Sequence, residues 1–161
     1  MNGKTKKLVL AALLAALICV VTMTVKIPYY QGYLNLGDAL VLLCGVMLSP
    51  LYAFLAAGVG SALADLFFGY IAYAPATFLI KGLMALALYF FAKRFGKKYG
   101  VVFGGIVAEL WMVLAYFAFE CAIYGVSAAA VGVLMNAIQG AVGLVLGIVL
   151  VKIFKRHHIN G

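Results

Sequence analysis

The feature that most restricts this chain is the length of its uncharged stretches. Ala39 to Phe68 runs for 30 residues with Asp65 as its one charged side chain. Leu8–Ile27, Pro75–Ala92, Val101–Tyr124 and Ala128–Phe154 are further apolar runs. A helix needs about 20 apolar residues to cross the hydrocarbon core of a bilayer, at about 1.5 Å per residue. Charged residues make up only 10% of the chain and hydrophobic ones 68%. A soluble globule of 161 residues has too little interior to hide that many apolar side chains. Composition therefore excludes a soluble enzyme, a disordered protein and a disulfide-built secreted module. It leaves a helical membrane protein.

Charge sets the number of crossings. Ser49-Pro50 interrupts the longest run, and proline disfavours continuation of a helix. That run is either one kinked helix or two helices joined by a tight turn. The basic residues cluster as Lys4, Lys6, Lys7; Lys93, Arg94, Lys97, Lys98; and Lys152, Lys155, Arg156. Only two helices place all three clusters on one side, as the positive-inside rule requires. The sequence thus predicts an all-α membrane protein with six transmembrane helices and both termini cytoplasmic. It is read as a single six-helix domain over 1–161, with helices at about 8–27, 38–49, 51–69, 75–92, 101–124 and 128–154. The basic start also fits a signal peptide, but the run is long and no small-x-small site follows promptly, so an uncleaved first helix is expected. Pro28–Gly37, rich in turn formers and tyrosine, reads as an outer interfacial loop. His157-His158 reads as a solvated tail.

Several chemistries have no support. The net charge of +8 is carried mostly by clusters at the ends of apolar runs, which are topology signals, so no nucleic-acid partner is expected. Cys19, Cys44 and Cys121 form no CxxC and lie inside apolar runs, giving neither a metal site nor a disulfide framework. GxxxxGK[ST], HExxH and GxSxG are all missing, and no histidine lies within an apolar run. No catalytic residue, metal or cofactor is expected, and any ATP use belongs to a partner.

The polar residues are unevenly distributed. Asp38, Asp65 and Glu120 fall near outer helix ends, Lys81 somewhat deeper, and Asn136 and Gln139 in the outer to middle part of the last helix. Glu109 lies near the middle of its helix. Ionisable groups at such depth are costly and face the protein interior. A channel lines both halves with polar groups, and a secondary carrier holds its site near the midplane. A one-sided cavity suits a protein that captures a solute from outside and needs another to move it inward. Plainer roles compete: Lys81 snorkelling to the interface, a structural Asp65–Lys81 pair, Asp38 as an N-cap, Glu120 at headgroup level. Tyr29, Tyr30, Tyr33, Tyr70, Tyr73, Trp111, Tyr116 and Tyr124 form either an interfacial belt or a surface for stacking on a planar ring. The acids outnumber Lys81, which disfavours an anionic ligand and suits a neutral or cationic heterocycle. The candidate substrate-binding residues are Tyr33, Asn35, Asp38, Asp65, Tyr73, Lys81, Trp111, Glu120, Asn136 and Gln139. Ala11, Ala12, Ala15 and Ala16 form overlapping small-xxx-small pairs, which serve either internal packing or docking of another membrane subunit.

With its size and six helices, Ala11-Ala-Leu-Leu-Ala-Ala16, Tyr33-Leu-Asn-Leu-Gly-Asp38, and Gly58–Asp65 through Tyr73–Gly82 make the chain resemble a substrate-binding S-component of an energy-coupling factor (ECF) vitamin transporter. The resemblance covers essentially its full length. It implies a prokaryotic plasma-membrane location among lipid, a transmembrane coupling subunit and two ABC-type ATPases as partners, and capture of a vitamin or precursor from outside. It also implies toppling in the membrane to release the ligand inside. The alanines would face the coupling subunit and Pro28–Gly37 would cover the site. Asn35, Asp38, Asp65 and Lys81 would lie at or near it. The ligand expected from this branch is pyridoxine or hydroxymethylpyrimidine, with riboflavin as the alternative. A stand-alone proton-coupled carrier using Asp65 or Glu109, and a structural subunit without ligand, are the readings from other classes.

Overall fold

The computed structural model describes residues 3–29 and 32–159, and the side chains of these except 29, 97, 98 and 155–159. Tyr30 and the side chains of Tyr29, Lys97, Lys98, Lys155, Arg156, His157 and His158 therefore lie outside the described residues.

The first helix, Gly3–Thr24, ends just before Val25-Lys26-Ile27-Pro28, where proline biases the preceding residue away from helical backbone. The segment read as a loop is a β-hairpin of Lys26–Tyr29 and Gly32–Asn35, pairing Lys26 with Asn35, Ile27 with Leu34 and Pro28 with Tyr33. Both strands are edges, where proline is tolerated, and Ile27 and Tyr33 favour extended backbone. The second helix, Gly37–Met47, has 11 residues, too few to cross a bilayer. Leu48 and Ser49 are extended, and Pro50 opens the third helix, Pro50–Phe67, in its first turn, where its missing N–H costs no hydrogen bond. The 30-residue apolar run is therefore two helices and a tight turn.

Helices four (Ala74–Gly96) and five (Tyr99–Tyr124) meet at Gly96, whose φ of 75° and ψ of 162° break the helical ladder. Glycine takes that conformation without a Cβ penalty. Gly125 (φ 83°) makes the turn into the sixth helix, Val126–Ile159. Five of the six helices are long and apolar enough to span a membrane. Leu8, Leu13, Leu51, Phe67, Leu114, Leu134 and Val145 are exposed around the bundle, as a lipid-facing surface requires. The alternating directions of the helices bring Lys4, Lys6, Lys7, Lys93, Arg94 and Lys152 to one end and the hairpin to the other.

The short second helix is the centre of the packing. Val41, Leu42, Leu43 and Cys44 are almost wholly buried with Ile18, Met84, Leu88 and Met112. Close approach elsewhere depends on glycine. A Cβ on Gly60 would stand 2.5 Å from the backbone oxygen of Ala15, so the third helix seats directly on the first. No side-chain rotation relieves a clash with backbone. Gly60→Ala is expected to cost about 1–3 kcal/mol as overpacking, read as a lower melting temperature in detergent. Gly3→Ala, with nothing within 4 Å of the added atom, serves as the silent control. Equal stability of the two variants would refute the contact.

Candidate functional site

Asp38 opens the second helix yet is 0% exposed. The cap position is Leu36 and carries no side-chain cap bond, so Asp38 is not an N-cap. Its Oδ1 is ion-paired with the ammonium of Lys81, which is itself buried and does not snorkel. Lys81 thus pairs with Asp38 and not with Asp65. Burying two charges costs free energy that only close pairing and further hydrogen bonds offset. Gln139 supplies one, donating from Nε2 to Asp38 Oδ2 at 2.7 Å. Its Oε1 accepts from the backbone N–H and the Nδ2 of Asn35, at 3.0 and 3.1 Å. Asn35 Oδ1 accepts from the Gly37 N–H at 2.9 Å. A continuous polar chain therefore runs from the fourth helix through the second and sixth to the hairpin.

A second group lies nearer the mouth. Tyr33 of the hairpin donates its hydroxyl to Asp65 Oδ1 at 2.6 Å. Burial, then the Asp65 carboxylate, push the Tyr33 phenol well above its ordinary pKa, so it remains a donor. Tyr73 donates to Glu120 Oε1 at 3.4 Å, and Thr77 and Tyr116 share a bond of 2.9 Å. Phe68 lies beneath the Lys26 ammonium, 3.5 Å from its ring centroid, and meets Tyr33 edge-on at 5.3 Å.

Tyr33, Asn35, Asp65, Tyr73, Lys81, Glu120, Asn136 and Gln139 line one cavity of about 480 Å³, its open mouth included. Asp38 lies behind Lys81 as its counter-charge. Trp111 is not brought to the cavity: it is 41% exposed and donates its indole N–H to the Ile80 carbonyl at 3.3 Å. The buried face of its helix runs through Ala108, Met112 and Tyr116 instead. Sequence reasoning missed Thr22, Gly32, Ser61 and Thr77 as lining residues. A signal existed for two of them: Ser61 precedes Asp65 by one turn, and Thr77 precedes Lys81 by one turn, on the same helix faces. Glu109 is buried with neither carboxyl oxygen hydrogen-bonded, packed on Gly140 and Gly143 outside the cavity lining. Among the described residues no three acids, cysteines or histidines group as a metal site.

On the first helix, Ala11 is buried and Ala15 half-buried, while Ala12 and Ala16 are exposed. The four alanines thus divide between internal packing and a free face.

Residues 2–156 match a family model described as the ECF-type riboflavin transporter, S component. An uncharacterized protein of Pyrococcus woesei is 38% identical over 145 residues, covering 86% of this chain and 95% of that protein. The S component of a bacterial ECF transporter superposes with a TM-score of 0.78 at 22% identity, over 96% of this chain and 98% of its own. An S-component for biotin from an ECF-type ABC transporter superposes with a TM-score of 0.58 at 21% identity, over 100% and 96%. These two structures share the fold.

Proposed function

Because the chain belongs to the family of ECF-type riboflavin transporter S components, we propose that it is the substrate-binding subunit of an ATP-driven vitamin importer in a prokaryotic plasma membrane. The family is a transporter component and not an enzyme. ATP hydrolysis then falls to two ABC-type ATPases, joined to this chain through a transmembrane coupling subunit. The observation that carries the reading is the one-sided cavity. Its ionisable and amide side chains sit beneath the hairpin, while the other end of the bundle is packed with Leu14, Leu43, Leu48, Leu88 and Val151. Such a cavity can hold a solute but offers it no polar way through.

The lining of tyrosines and hydrogen-bonding groups suits a heterocyclic vitamin. Pyridoxine and hydroxymethylpyrimidine, expected from the sequence, find no support among the relatives. The family description brings riboflavin forward. Reconstitution tests the function: uptake of a radiolabelled vitamin into proteoliposomes should require the coupling subunit, both ATPases and ATP. Uptake by this chain alone, driven by a proton gradient, would instead establish a stand-alone carrier.

A further inference from the structure

The charges of the cavity bear on what it holds. Its one lysine, Lys81, is already matched by Asp38. The other ionised-type groups in the lining are Asp65 and Glu120, buried to 5% and 1% exposure. Each accepts one phenol hydrogen bond, from Tyr33 and Tyr73 respectively. Each keeps a second oxygen, Asp65 Oδ2 and Glu120 Oε2, without a hydrogen-bond partner. No further cation lines the cavity among the described residues. Lys26 is directed to the ring of Phe68 and lies outside the lining.

Two carboxyl groups held in an apolar bundle, with no ion pair of their own and only the Lys81 ammonium that Asp38 already engages, are costly. The arrangement becomes favourable when a positive charge arrives with the ligand. The walls suit such a charge. Tyr33, Tyr70, Tyr73 and Tyr116 all line the cavity. Tyr33 and Tyr70 lie 5.3 Å apart between centroids, Tyr70 and Tyr73 6.0 Å, Tyr73 and Tyr116 6.5 Å. Aromatic faces attract cations most strongly where water is excluded.

We infer that the ligand is a positively charged heterocycle, its cationic ring or amine held between Asp65 and Glu120 and walled by the tyrosines. This rests on the reading of the chain as an S-component, and it departs from the uncharged flavin of the family description. Asn136, whose buried Nδ2 also lacks a partner, supplies a donor for an acceptor atom elsewhere on the ligand.

The test is a calorimetric titration of the full chain in lipid nanodiscs with thiamine, a permanently cationic ring, and with riboflavin, an uncharged one. Thiamine is expected to bind at least about ten-fold more tightly, the equivalent of one charge-assisted contact. Asp65→Asn and Glu120→Gln, which keep shape and remove charge, should each weaken thiamine by about ten-fold while moving riboflavin far less. The wild-type ratio needs no variant and stands even if one fails to fold. Tighter binding of riboflavin, or an unchanged ratio in both folded variants, overturns the cationic assignment and leaves the S-component reading intact. No binding of either, nor of any other B-vitamin in a competition panel, overturns both.

Discussion

Lys81→Met is expected to lower stability by about 3–5 kcal/mol, because it strands the Asp38 carboxylate in the bundle without its counter-charge. Asp38 is 0% exposed, and its remaining partner is the Gln139 amide. An amide donor does not replace an ammonium. Asp38→Asn should be comparably damaging, since it leaves the Lys81 ammonium buried among neutral groups. The double variant Lys81→Met/Asp38→Asn removes both charges and keeps an acceptor for Gln139 Nε2. Much of the lost stability should then return, as it does when buried ion pairs are replaced by neutral groups of similar size. Ligand affinity should return with it, because the pair is neutral as a unit and the Asp65 and Glu120 carboxyls that line the cavity remain. Thermal unfolding in detergent, with and without vitamin, separates the two quantities. A double variant no more stable than the singles would show that the pair is not the source of the cost.

Ala12→Leu and Ala16→Leu are expected to abolish transport while leaving ligand affinity unchanged. Both alanines lie on the exposed face of the first helix, where small side chains let another helix approach closely. On the proposed docking face, a leucine would hold a coupling subunit away. Uptake in the reconstituted system should fall by more than about ten-fold, beyond the free energy of a single packing contact. Co-purification with the coupling subunit should fall in parallel. Ala11→Leu, by contrast, meets the buried side of the same helix and should reduce stability and binding together. Full uptake by Ala12→Leu would remove this face from the proposed docking surface.

The contrast between neighbouring alanines marks how far the chain could be read from its letters. Overlapping small-xxx-small spacing was visible, but packing and docking were equal readings of it. The structure buries Ala11, half-buries Ala15 and leaves Ala12 and Ala16 exposed, so only the last two are wholly open to another helix. The acids behave likewise. Their depth was legible from the distance to the nearest charged or turn-forming residue. That Lys81 selects Asp38 over Asp65 was not, because the two acids begin and end different helices and their relative rotation depends on contacts with third parties. Gln139 is one of these, contributed 101 residues away in sequence from the aspartate it serves. The hairpin was hidden for another reason. Its strands have four residues each, too few for alternation to stand out beside tyrosines and prolines that also signal a loop.

The sequence by itself determined that this is a bundle of six helices with the basic ends together; it counted all six as transmembrane, whereas the second has only 11 residues and five are long enough to cross. A bilayer charges every exposed polar group separately, so run length, proline and lysine placement act locally and can be read along the chain. Only the tertiary structure decided which side chains meet. Each residue turns a helix by about 100°, so a shift of one position, as between Trp111 and Met112, exchanges lipid for core. That rotation is set by packing against helices remote in sequence.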